Sequence, residues 1–196
     1  IYIGAGTVFS HITADPVIQE CIPVLGEAVD QVGGPQIRNI GTIGGNICNG
    51  AVSADSVPTV FSYNALLKIA NAGGGRTVPV REFYLGPGRV DLHPGEVLTH
   101  VIIPRAEYEG YHGHYIKYSM RNAMDIATLS CSVVSRIDSA KNILEDVRIT
   151  FGVAAPVPYR CVETEELLKG QKPGEELYQK LEDSIRKEIH PRDSWR

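Results

Sequence analysis

The sequence predicts an α+β protein, on three observations. Three strand candidates, "HYIKYSM", "DIATLSCSVVSRID" and "ILEDVRITFGVA", follow one another through turn chemistry. Two amphipathic helices, "ETEELLKG" and "GEELYQKLEDSIRKEI", come after them, so a sheet with helices on one face is the expected arrangement. Finally, 196 residues that are 43% hydrophobic suffice for two modest units, each with its own core.

Taken in order, residues 1 to 8 alternate apolar and small side chains and read as a strand, with Ser10 or Thr13 as the cap of the next helix. The set Val17, Ile18, Cys21, Leu25, Ala28, Val29 and Val32 recurs at three and four, and Pro23 divides this face into two short helices. Gly33, Gly34 and Pro35 stop the second. Residues 36 to 54 are too rich in Gly and Asn for regular structure, until Asp55 N-caps a short helix ending near Tyr63. "ALLKIA" and "RTVPV" flank Gly73, Gly74 and Gly75 as a hairpin, and "GEVLTHVIIP" is a further strand closed by Pro104. The polar, glycine-bearing "RAEYEGYHG" marks the boundary between units, placed after residue 106.

Composition excludes several classes. No apolar run approaches the ~18 residues of a membrane span. A net charge of -4, with Lys and Arg scattered, gives no footprint for nucleic acid. Cys21, Cys48, Cys131 and Cys161 lie far apart, without a CxxC metal or cluster pattern, and suit free thiols in a reducing cytoplasm. The chain opens on "IYIGAG" with no initiator methionine or signal-type segment, and ends on "HPRDSWR", where Trp195 has little chain to pack against. Both ends read as cut.

The informative stretch is "IRNIGTIGGNICNGAVSADSVP", residues 37 to 58. Gly44 and Gly45 lack Cβ atoms, so an anion can approach their amides closely. Thr42 offers a hydroxyl, Asn46 an amide and Asp55 an acceptor for sugar hydroxyls. A glycine loop that merely turns a corner explains the same residues equally well.

That stretch resembles the second flavin-binding loop of the FAD-binding subunits of molybdenum hydroxylases, whose pattern runs I-R-N-x-[GA]-[ST]-[IV]-G-G-N, then a serine and aspartate, then proline. The likeness continues through "GEVLTHVIIP" and "YIKYSMRNAMDIATLSCSV" over nearly the whole chain, and is nearest to the bacterial xanthine dehydrogenase type. It implies a division into residues 1–106, the second lobe of a two-lobe FAD-binding (PCMH-type) domain, and residues 107–196, an α+β flavoprotein C-terminal domain with a three-stranded antiparallel sheet. Implied FAD contacts are Thr42, Ile43, Gly44, Gly45, Asn46, Asp55, Leu98 and Lys117. Arg121 and Asp125 lie in segment 119 to 125, which in relatives borders the isoalloxazine ring and nicotinamide pocket. The first lobe with its own glycine-rich loop is not in this sequence, so a partial site is expected.

The resemblance further implies no catalytic side chain and no metal in this subunit. A molybdopterin-binding large subunit and a 2Fe-2S subunit are its implied partners, and electrons pass from the clusters through FAD to NAD in purine catabolism. An aldehyde, nicotinate or carbon monoxide hydroxylase, or a flavin-free assembly module, are the alternatives. Among the remaining residues, Lys117 alone reads as a snorkelling surface lysine, and Arg38 braces the glycine stretch. His112 and His114 have HxH spacing without a carboxylate or cysteine partner nearby. Tyr108, Tyr111, Tyr115 and Tyr118 read as packing, as does Cys48.

Overall fold

The computed structural model describes residues 1–193; Trp195 lies outside them. Strand β1 (Tyr2–Gly4) is shorter than the expected eight residues, because the Thr7 N–H donates to the Gly4 carbonyl (2.9 Å) and turns the chain. Helices α1 (Phe9–Ala14), α2 (Pro16–Cys21) and α3 (Pro23–Asp30) follow, with the break at Pro23 as expected. Neither Ser10 nor Thr13 caps. Asp15 does, accepting from the Val17 and Ile18 amides (2.9 and 3.2 Å) ahead of Pro16 at the first helical position. Gly33 takes φ +51 at the stop after α3, a conformation glycine adopts without penalty.

Residues 36 to 54 are not irregular, as the sequence suggested. They hold most of α4 (Pro35–Arg38) and all of α5 (Ile43–Cys48). Next come α6 (Ser56–Ser62), the expected hairpin β2 (Leu66–Asn71) and β3 (Gly74–Pro79), α7 (Val80–Phe83), β4 (Tyr84–Gly86), β5 (Arg89–Val90) and β6 (Val97–Ile102). After a 3-10 turn at Arg105–Glu107, β7 (His112–Tyr118), β8 (Leu129–Asp138), β9 (Ile143–Gly152) and β10 (Tyr159–Arg160) lead to α8 (Val162–Leu168) and α9 (Glu175–Glu188).

The strands form two larger antiparallel sheets, ordered β1-β6-β2-β3 and β10-β9-β8-β7, and the small pair β4-β5. The second sheet has four strands, not three. Two-residue β10 carries no periodic signal and shares its stretch with Pro156 and Pro158, yet it pairs with β9 and is held by Cys161 N–H on the Ile149 carbonyl (2.9 Å).

All seven residues of α6 are buried. The helix lies across the inner face of the second sheet, where Ser130, Ser132, Thr150 and Gly152 keep side chains small. The Ser62 hydroxyl donates to the Ser132 carbonyl (3.3 Å) and shares a bond with Thr150 Oγ1 (2.8 Å). A Cβ on Gly152 would run into Ser130 Oγ and sit 3.2 Å from Pro58 Cγ. The larger core spans both sheets, for Tyr111, Tyr115 and Val134 join the residues of α1, α3 and α6 in it. A smaller core lies between the second sheet and α8 and α9, with Ile149, Phe151, Leu168, Leu181 and Ile185.

Two arginines of the second sheet reach the end of α6. Arg148 donates to the Ser62 carbonyl (3.1 Å), the Glu107 carbonyl (3.2 Å) and the Tyr111 hydroxyl (2.7 Å), pairs with Asp146 (3.0 Å), and lies 4.3 Å from the Tyr111 ring centre. Arg160 donates to Asn64 Oδ1 (3.0 Å) and Glu165 Oε2 (2.8 Å). The Arg148 guanidinium thus satisfies the Ser62 carbonyl, one of the helix-terminal acceptors that have no partner inside α6.

Replacing Arg148 by Met therefore leaves Asp146 and the Ser62 carbonyl short of a partner. A loss of about 3–5 kcal/mol of unfolding free energy is expected by urea titration. A separate acid effect belongs to Glu96, which accepts from Arg76 at two positions (2.8 Å each) and from the His93 N–H (2.9 Å). These bonds hold its carboxyl down to about 2 against an ordinary value of 4.5. With the native value depressed, the contribution is complete above pH 4.5 and is lost as pH falls toward 2. Glu96→Gln should flatten that part of an acid-unfolding curve, read by circular dichroism.

Candidate cofactor-binding site

The glycine stretch folds as a capped helix start. Thr42 sits at the N-cap of α5, and its Oγ1 accepts from the Gly45 N–H (3.1 Å). The Ile43 amide donates to the Thr7 carbonyl (3.1 Å), the Gly44 amide to the Ala5 carbonyl (2.9 Å), and the Asn46 amide to the Thr42 carbonyl (3.0 Å). The amides expected to lie open to an anion are therefore already engaged. Gly44 is required for close packing, since a Cβ there would lie 2.6 Å from Ala5 Cβ and 2.7 Å from its carbonyl oxygen. Gly45 is different: it is exposed, and a Cβ would meet only Thr42 Oγ1, at 3.0 Å.

Ile43 does not face a ligand with its side chain, which is wholly buried in the core. Leu98 is likewise buried, in β6 opposite Ile69 of β2, with α5 packed against that strand. Asn46 is half-buried; its Oδ1 accepts from Ser56 Oγ (2.7 Å), leaving the Nδ2 protons for another acceptor. The Thr42 hydroxyl, used as an acceptor by Gly45, keeps its own proton to donate.

Asp55 begins α6 but does not cap it. Its carboxylate turns to β7, taking Lys117 Nζ on Oδ2 (2.9 Å) and the Tyr115 hydroxyl on Oδ1 (2.8 Å). Both side chains of the ion pair are under a tenth exposed, so Lys117 is not a snorkelling surface lysine. Burial pushes the Asp55 carboxyl above its usual value, against the hydrogen bond and charge of Lys117 and the bond from Tyr115. Lys117 also donates to the Gln31 carbonyl (3.0 Å).

Lys117 and Gln31 border a cavity of about 510 Å³ whose other walls include Asp30, Arg38, Arg121, Met124 and Asp125. Its cations are matched by carboxylates: Arg38 with Asp30 (3.2 Å), Lys117 with Asp55 (2.9 Å) and Arg121 with Asp125 (3.5 Å). Arg38 also donates to the Val32 carbonyl (3.2 Å), which ties it to the end of α3 and not to the glycine stretch it was expected to brace. Segment 119 to 125 covers one side and is closed on itself, the Asp125 carboxylate accepting from the Arg121 and Ile126 amides (3.0 and 2.9 Å). The first turn of α6 thus joins the two halves of the site, Ser56 holding Asn46 and Asp55 holding Lys117.

Three residues escaped the sequence reading. Tyr115 was expected only to pack, although its place two residues before Lys117 puts both on one strand face. Gln31 acts through its backbone, which leaves no sequence signal. Glu27 of α3 supplies the carboxylate expected to be missing beside the HxH pair, its Oε2 lying 2.8 Å from His114 Nδ1 and accepting from the Tyr115 N–H (3.2 Å). Among the described residues no group of three His, Cys, Asp or Glu could hold a metal ion. Burial pushes the Cys48 thiol up, as suits a packing residue.

An α+β scaffold built on one buried helix, offering a bare glycine surface and hydroxyl and amide donors beside a charge-balanced cavity, is of the cofactor-binding class. Residues 1–106 match the family described as FAD binding domain in molybdopterin dehydrogenase, and residues 114–196 the CO dehydrogenase flavoprotein C-terminal domain. The chain belongs to this family of FAD-binding domains. It is 39% identical over 194 residues to the putative xanthine dehydrogenase FAD-binding subunit of Escherichia coli (strain K12), covering 99% of this chain and 66% of that one. The glyceraldehyde dehydrogenase medium chain of Sulfolobus acidocaldarius is 29% identical, over 97% of this chain and 66% of its own length. The carbon monoxide dehydrogenase structure from Hydrogenophaga pseudoflava superposes with a TM-score of 0.91 at 30% identity, over 98% of this chain and 66% of that one. The chain thus spans about two thirds of the length of these relatives.

The two glycines separate in a mutational test. Gly44→Ala drives a methyl into Ala5 and should cost about 1–3 kcal/mol by urea unfolding. Gly45→Ala should cost less than about 1 kcal/mol, because its Cβ would meet only the Thr42 hydroxyl, at 3.0 Å.

Proposed function

We propose that this chain is the flavin-holding part of an electron-transfer subunit in a xanthine-dehydrogenase-like molybdenum hydroxylase. In this reading a large subunit carries the molybdopterin, a small subunit carries two 2Fe-2S clusters, and electrons leave through FAD to NAD in purine catabolism. The observation that carries it is the 39% identity to the Escherichia coli xanthine dehydrogenase FAD-binding subunit, running through the glycine stretch to the far end of the chain. FAD, when bound, supplies redox chemistry that can take up single electrons and release a pair.

The chain's own residues bind and orient. Thr42 and Asn46 present donors, and Gly45 a surface without a side chain, to the phosphate and ribityl portion. Asp55 and Lys117 place a fixed ammonium beside the cavity, where Arg121 and Asp125 close one wall around the ring portion. Charge balance there suits a neutral ring that both donates and accepts hydrogen bonds. Ile43, Gly44 and Leu98 act from inside, by setting where α5 lies. In the same reading residues 1–106 form the second FAD-binding lobe and residues 107–196 the C-terminal flavoprotein domain, and the complex works in the cytoplasm. Among the described residues no helix is long and apolar enough to cross a membrane, and all four cysteines are free.

The relatives named for glyceraldehyde and carbon monoxide dehydrogenases set the competing substrates. Purifying the full-length subunit with its partners and assaying hypoxanthine, xanthine, glyceraldehyde and carbon monoxide, each with NAD, decides among them. NAD reduction by the two purines, with one flavin per complex, is the expected result. Turnover of only the aldehyde or carbon monoxide would replace the purine substrate, and a complex without flavin would leave an assembly module.

A further inference from the structure

Tyr115 is a buried phenol, 1% exposed, and its hydroxyl lies 2.8 Å from Asp55 Oδ1, to which it donates. Its main chain is fixed as well, the N–H donating to Glu27 of α3 (3.2 Å). Both ends of the residue are therefore set by elements other than its own strand. The second carboxylate oxygen of Asp55 takes Lys117 (2.9 Å), and a second ammonium proton goes to the Gln31 carbonyl (3.0 Å). An ammonium has three protons, so one remains, and Lys117 borders the cavity. Without the phenol, the carboxylate would be free to rotate and draw the ammonium onto both oxygens, away from a ligand. We propose that Tyr115 is a positioning residue: by occupying one oxygen of Asp55 it orients the carboxylate, so that Lys117 presents its third N–H to an acceptor atom of a planar ring lying in the cavity. This rests on the reading of the cavity as part of the FAD site.

The test uses the full-length subunit in its complex, stripped of flavin and titrated with FAD while fluorescence and the flavin absorption bands are followed. Lys117→Met should weaken binding about tenfold, the loss of one charge-assisted bond, and shift the bands. Tyr115→Phe should weaken it about five- to tenfold in the parent but less than about twofold in the Lys117→Met background, because the hydroxyl acts through the lysine. An equal loss in both backgrounds, or none in either, would overturn the positioning role while leaving the cavity as the flavin site. If Lys117→Met itself changes neither affinity nor spectrum, the cavity reading fails and the role of Tyr115 falls with it. Melting curves of the flavin-free variants guard against loss of fold. Should Tyr115→Phe not fold, Tyr115→Met, which likewise removes the hydroxyl, takes its place and must show the same dependence on Lys117.

Discussion

Helix α6 is the constraint on which the remainder of the molecule depends. Seven consecutive residues with no exposed face, "SVPTVFS", can persist only if every side is packed, and here the sides are α3, α5 and the inner face of the second sheet. Small hydroxyl and glycine positions on β8 and β9 permit that close approach, and Ser62 of the helix bonds across it to the Ser132 carbonyl and the Thr150 hydroxyl. Because both ends of α6 are tied, by Asp55 to β7 and by the Ser62 carbonyl to β9, the glycine stretch and the second sheet hold one another in place. The chain segments that match two separate families are joined through this buried rod and through α3, which packs on β7 beside it.

What could be read from the sequence was local. Pro23 as a break, the triple-glycine hairpin, β6 ahead of Pro104 and the strands β7 to β9 each have their signal within a few residues, and each appears. The failures share a cause. Asp55 looked like a cap because it stands at a helix start, yet two partners some sixty residues further along the chain take its carboxylate. His114 looked unpartnered because Glu27 lies on a distant helix. Strand β8 begins four residues later than its apolar pattern suggested, since Asp125 spends its side chain on the loop.

The glycine stretch teaches something narrower. Three residues of one short stretch, read as a single cradle, prove to have three different physical duties: Thr42 caps the start of α5, Gly44 allows two segments to touch, and Gly45 leaves the surface without a side chain. Helical backbone was missed because propensity disfavours Gly and Asn in helices, whereas here a capped six-residue helix is held by donors reaching Thr7, Ala5 and Thr42.

The matched charges of the cavity have an effect beyond its walls. Opposed ions a few ångströms apart cancel at distances comparable with the Debye length of about 8 Å, so little field extends from the mouth into solution. Molecules arriving there are sorted by shape and short contacts after diffusion has brought them in, and the salinity of the medium has little hold over how often they come.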